Sequence, residues 1–138
     1  MKEKMSSPPQ DEIDALVNLY HSGQMIRAEQ ASRELLKPYP QALVAINVLG
    51  AALHGQGKLQ EAVQAYDKAI QLNPDYAKAH SNLGNTLLKL GRSKDAEASY
   101  RKAIALKPDY AEAHSNLGVT LQELGKLEDA EARLCRSP

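Results

Sequence analysis

One spacing governs what this chain can become. Gly23, Gly57, Gly91 and Gly125 recur every 34 residues, as do Ala28, Ala62, Ala96 and Ala130, and as do Pro40, Pro74 and Pro108. Three residue types holding one phase along 138 residues mark an array of small units. In such arrays a unit buries its apolar side only against its neighbours. The sharpest copy runs Lys78–Tyr110, and the next repeats its AHSNLG unchanged. The copy from Leu43 keeps Leu49-Gly50, Gly57, Ala62, Tyr66, Ala69 and Pro74. The first, from about Pro9, keeps only Gly23, Ala28, Leu35 and Pro40, as expected of a terminal copy.

Within a copy the apolar spacing is helical: Leu83, Leu87 and Leu90, then Ala96, Tyr100, Ala103 and Ile104 after a break. The break centres on Gly91, where a left-handed cap meets no steric penalty. Pro108 disfavours helix in the residue before it, and Asp109 is placed to cap the helix that follows. The pattern predicts helices at about 11–22, 25–37, 42–55, 59–72, 76–90, 93–106, 110–124 and 127–135, paired antiparallel as an all-α solenoid. With no Trp and no Phe, the interior is expected to be Leu, Ile, Val and Ala, which suits close-packed helices. Gly50, Gly84 and Gly118 are expected to let Ala62, Ala96 and Ala130 approach. A mid-helix glycine costs about 1 kcal/mol against alanine, so three in one phase imply that close packing offsets it.

Composition removes whole classes of function. Seventeen Lys and Arg balance seventeen Asp and Glu, which argues against nucleic acid or an anionic membrane surface as partner. One cysteine, Cys135, leaves no internal disulfide. There is no signal-peptide pattern and no apolar run of about 18 residues, so a soluble, cytoplasmic protein is expected. Phosphate-binding glycine loops, GxSxG and HExxH are absent. His80 and Ser81 point about 100° apart on a helix and cannot act as base and nucleophile. No enzymatic role, no cofactor and no metal are expected. His80 and His114 share a phase but lack further ligands at zinc spacing, and His21 and His54 read as surface.

The copies also match a known pattern. Ile46-x2-Leu49-Gly50-x2-Leu53, Ala62-x3-Tyr66, Pro74 is followed by His80-x2-Leu83-Gly84-x2-Leu87, Ala96-x3-Tyr100, Pro108, and then by His114-x2-Leu117-Gly118-x2-Leu121, Ala130-x3-Leu134. This resembles the tetratricopeptide repeat signature on its 34-residue period, with Ile or His where that signature begins on Trp. The resemblance covers Pro9–Leu134. It implies a right-handed superhelix of about four motifs, near 9–42, 43–76, 77–110 and 111–138, the last truncated; residues 1–10, polar with a double proline, are read as a disordered leader. The resemblance also implies a concave groove lined by first helices that holds a peptide or partner protein. The wording AHSNLGNTL is similar to repeats of O-linked N-acetylglucosamine transferases and their bacterial relatives. In those, an Asn ladder holds peptide backbone, which maps onto Asn82 and Asn116. In the second copy Val48 takes the ladder position and Asn47 stands one residue earlier, so the ladder is expected to break there.

A side-chain amide both donates and accepts, matching a backbone peptide unit. Asn82 and Asn116 therefore either orient a peptide or bond neighbouring helices. Asn47, Lys78, Ser81, Asn85, Lys89, Glu112, Ser115, Gln122 and Glu123 complete the expected polar groove. The related clamp for carboxylate tails needs Lys or Arg on consecutive first helices. Here Lys78 and Lys89 are followed by Glu112 and Glu123, so that ligand is rejected.

The last copy departs from phase at Leu134-Cys135-Arg136-Ser137-Pro138. A proline inside a continuing helix costs about 3 kcal/mol, so the last helix is expected to stop short. That would expose Leu117, Leu121, Leu124, Leu127 and Leu134 beside Cys135, and a homodimer or swapped assembly through this end is expected. Two other arrangements fit the same residues: the substrate-recruiting N-terminal part of a larger glycosyltransferase-like or sulfotransferase-like enzyme, and a self-assembling scaffold.

Overall fold

A computed structural model describes the backbone of residues 7–136, and side chains as far as Glu128. The helices are α1 (Gln10–His21), α2 (Met25–Leu36), α3 (Leu43–Gly55), α4 (Leu59–Leu72), α5 (Ala77–Lys89), α6 (Ser93–Leu106) and α7 (Ala111–Arg136). Six of them form three antiparallel pairs, and α7 adds half a unit. Helix α1 begins at Gln10, inside the stretch assigned to a leader; residues 1–6 of that stretch lie outside the described residues.

The three turns within pairs are built alike. Gly23, Gly57 and Gly91 have φ of 79°, 80° and 81°, the left-handed region that glycine enters without a Cβ clash. After each, a backbone N–H reaches back across the turn: Gln24 to Leu19 O at 3.0 Å, Lys58 to Leu53 O at 2.9 Å and Arg92 to Leu87 O at 2.8 Å. These are the paired bonds of a Schellman cap, which satisfy carbonyls the helix end would otherwise leave free. Between pairs, α4 ends at Leu72 before Pro74 and α6 at Leu106 before Pro108, as the prolines require. The residue before α7 is Tyr110, one past Asp109. Its carbonyl accepts from the His114 N–H at 3.1 Å, so the expected aspartate cap falls outside the first turn.

The curvature follows from which helices touch. α1 meets α3, α3 meets α5, and α5 meets α7, whereas among the described residues α2, α4 and α6 do not meet one another. The odd helices are thus drawn together on the inside of the bend and the even ones splay on the outside.

The interior explains why the leucine–glycine pairs recur. Gly50 admits the ring of Tyr66, whose nearest atom lies 2.6 Å from where a Cβ would stand, and Gly84 admits Tyr100 at 2.7 Å. Both rings are almost fully buried. The expectation that Ala62 and Ala96 are the residues seated there is corrected: the nearest atoms belong to the tyrosine four residues later. Ala62 and Ala96 are fully buried, but the Cβ-free position serves the ring.

A second correction concerns the last copy. A turn at Gly125 and a separate helix at 127–135 were expected, but α7 runs unbroken through Gly125, which lacks the positive φ of its three counterparts. The reason is burial. Helices α2, α4 and α6 each pack on their own partner and on the first helix of the next unit. Among the described residues nothing follows α7, so a folded-back helix would gain one packed face where the others gain two. Continuing the helix across a glycine costs only about 1 kcal/mol.

Candidate binding groove

Helices α5 and α7 present a polar face built at one register, which on α3 is apolar (Val44, Val48, Ala51, Gly55). On α5, Lys78, Asn82, Asn85 and Lys89 follow at intervals of four, three and four residues, which places them within roughly 60° of one another. On α7, Glu112, Asn116, Val119 and Glu123 occupy the same register, 34 residues on. All four charged residues are exposed, and Asn82, Asn85 and Asn116 are half-buried. The face is therefore basic at both ends on α5 and acidic at both ends on α7.

The asparagines are held sideways. Asn82 Nδ2 donates to Asn47 Oδ1 at 3.2 Å, and Asn116 Nδ2 donates to Asn85 Oδ1 at 2.9 Å. Asn85 Oδ1 also accepts from Tyr100 Oη at 2.5 Å. The predicted break at the second copy is thus bridged, because Asn47 on α3 still meets Asn82 on α5. Burial, and then the nearby Glu112 carboxylate, push the Tyr100 phenol up to about 12. That hydroxyl stays protonated and donates to Asn85. Each amide keeps spare capacity: an oxygen lone pair and one N–H on Asn82 and Asn116, and the NH₂ group on Asn85.

Beneath the amides lies a layer that sequence reasoning missed. Thr86 and Thr120 are fully buried. Thr86 Oγ1 donates to Asn82 O at 3.2 Å and Thr120 Oγ1 to Asn116 O at 2.8 Å. Such bonds to the carbonyl four residues earlier are how a threonine is satisfied inside a helix. With its proton so used, Thr86 accepts from His54 Nδ1 at 2.8 Å. His54, expected at the surface, is half-buried; burial, then the positive charge of Lys89, hold its pKa below the usual value. The shared phase of Thr86 and Thr120 was the available signal.

The other expected groove residues divide by phase. Asn47 and Ser81 stand one residue before the ladder position and turn about 100° away from it. Asn47 is buried and Ser81 is wholly so, which corrects Ser81 from groove wall to helix interface. Ser115, in the same phase on α7, is exposed, and Gln122 lies on its side of the helix, so both face the end of the array. His80 and His114 serve the fold: each Nε2–H donates to a proline carbonyl six residues back, Pro74 O at 2.8 Å and Pro108 O at 2.7 Å. At the proposed end face, Leu124 is buried and Leu117 half-buried, while Leu121 and Leu127 are 41% and 57% exposed. The side chains of Leu134 and Cys135 lie outside the described residues. Among the described residues no group of three or more His, Cys, Asp or Glu is arranged to hold a metal ion, and no helix is long and apolar enough to cross a membrane.

Paired helices turning on left-handed glycines, with a polar face on α5 and α7, define a class of helical-repeat protein. Family comparison agrees: the model described as TPR repeat matches residues 50–91 and 87–125, together more than half of the chain. The chain belongs to the TPR repeat family. Among solved structures it resembles an O-GlcNAc transferase mutant of Thermobaculum terrenum, at 31% identity and a TM-score of 0.76 over 85% of this chain, which spans only 23% of that protein. The first TPR domain of human RPAP3 superimposes with a TM-score of 0.81 at 22% identity, covering 86% of this chain and 93% of that one. The Yersinia enterocolitica type III secretion chaperone SycD, solved with a peptide of the translocator YopD, gives 0.76 at 20% identity, over 87% and 93%. No curated protein sequence matched.

Proposed function

We infer that this array is a non-catalytic module that holds an extended peptide, or a segment of a partner protein, along the face of α3, α5 and α7. The observation that carries the reading is the set of half-buried amides at Asn82, Asn85 and Asn116, fixed by their neighbours with spare donors and acceptors. Groups already immobilised lose little entropy on binding. Solved structures of like fold that hold peptides support it: SycD with a YopD peptide, and the first TPR of Spaghetti (RPAP3) with the HSP90 peptide SRMEEVD. The ligand differs here, since Glu112 and Glu123 oppose a carboxylate tail; the face suits a segment that carries acid toward α5 and base toward α7. The array is read as units near 9–42, 43–76, 77–110 and 111–138, in a cytoplasmic setting consistent with a single thiol.

The test is selection of peptides from a displayed random library on the wild-type chain, followed by titration against Asn82→Ala/Asn116→Ala. At least a tenfold loss of affinity with unchanged far-UV circular dichroism is expected. Equal affinity in the folded double variant would remove the reading.

Two further readings have support. The transferase likeness at 31% identity favours a substrate-recruiting segment of a larger glycosyltransferase-like or sulfotransferase-like enzyme, and reading the coding frame past Pro138 decides it. Self-association through α7 is favoured by the open position at Gly118.

A further inference from the structure

We propose that residues 126–136 act as the second helix of the fourth unit in trans, docking on α7 of a second copy in a reciprocal exchange. Leu117-Gly118-x2-Leu121 repeats the seats at Leu49-Gly50 and Leu83-Gly84. Tyr66 and Tyr100 close those two, but at Gly118 no atom of the described residues lies within 4 Å of a Cβ position. Leu121, at the rim of the open seat, is 41% exposed.

The same chain carries the pattern that closes such a seat. Lys126-Leu127-Glu128-Asp129-Ala130 is in phase with Lys58-Leu59-Gln60-Glu61-Ala62, the opening of α4, and Leu134 falls in the phase of Tyr66 and Tyr100. Within one copy the two parts cannot meet. Sixteen residues of unbroken helix separate Gly118 from Leu134, about 24 Å along the axis. Leu127, in phase with the half-buried Leu59, stays 57% exposed.

Two copies laid antiparallel along α7 satisfy both. The pairing that sets Tyr66 on Gly50 and Tyr100 on Gly84 sets Leu134 of one copy on Gly118 of the other, and the reverse. The contact is the same in both directions, so it closes as a twofold dimer. Gly125, in phase with three turn glycines yet helical here, is the point at which exchange replaces fold-back.

The inference deepens the self-association reading, and its test separates the two. Sedimentation equilibrium compares the wild-type chain with Gly118→Leu, whose side chain enters open space in one copy but fills the seat. The expected result is a wild-type mass that doubles across the micromolar range, and a dimer dissociation constant raised at least tenfold in Gly118→Leu with unchanged circular dichroism. Gly118→Cys/Leu134→Cys on a Cys135→Ser background, treated with a short bismaleimide, should give a covalent dimer. A wild type that stays monomeric ends both readings. A dimer indifferent to Gly118→Leu, or a cross-link confined to one chain, ends the exchange alone and leaves the seat to another contact.

Discussion

The third and fourth units begin with the same six residues, Ala79–Gly84 and Ala113–Gly118, and finish differently. In the third, Gly91 turns left-handed, α6 folds back and Tyr100 seals Gly84. In the fourth, Gly125 stays helical and Gly118 is open. An identical start therefore does not dictate the turn. What differs is the packing offered to the returning helix: α6 is held between α5 and α7, whereas nothing among the described residues lies beyond α7. A turn glycine permits a hairpin, and burial on two faces makes it form.

That contrast is sharpest at the two glycines themselves. Gly84→Leu drives a branched side chain into the Tyr100 ring, and overpacking of this kind costs about 1–3 kcal/mol. Gly118→Leu meets open space, and surface changes away from special features stay within about 0.5 kcal/mol. Urea unfolding of the two variants at low protein concentration is expected to show a lowered midpoint for the first only. Equal losses would mean that Gly118 is also sealed.

A smaller effect separates the well-packed units from the end by pH. The pKa of His54 is lowered in the folded chain, first by burial and then by Lys89, so folding favours the neutral ring. Its contribution is complete above the unfolded value near 6.5 and is lost as pH falls through the folded value. The ring is half-exposed and screened by solvent, so the change stays under about 1 kcal/mol. Stability measured between pH 7.5 and 5.5 should fall toward acid, and the slope should flatten in His54→Asn.

Much of this was legible beforehand, for physical reasons. Period, turn glycines and prolines act locally, so the bounds of six helices followed to within a residue or two. Lys78, Asn82 and Lys89, like Glu112, Asn116 and Glu123, share one helical phase, so the sequence alone puts each set on one side of its helix. Contacts between copies were not legible. Tyrosine, rather than alanine, fills the glycine seat, about one turn further along the returning helix. Ser81 is buried between helices, and Asn47 on α3 reaches Asn82 on α5, neither of which a single helix's pattern states. The loss of the turn at Gly125 goes with the lack, among the described residues, of a further helix packed on α7, which no local pattern encodes.

The most direct test of burial, rather than motif, as the cause of the turn is the backbone conformation of the four in-phase glycines in solution. Carbon chemical shifts and residual dipolar couplings report φ at each. Gly23, Gly57 and Gly91 should be left-handed and Gly125 helical. A left-handed Gly125 in the same chain would show that the motif alone closes the hairpin and would contradict the account.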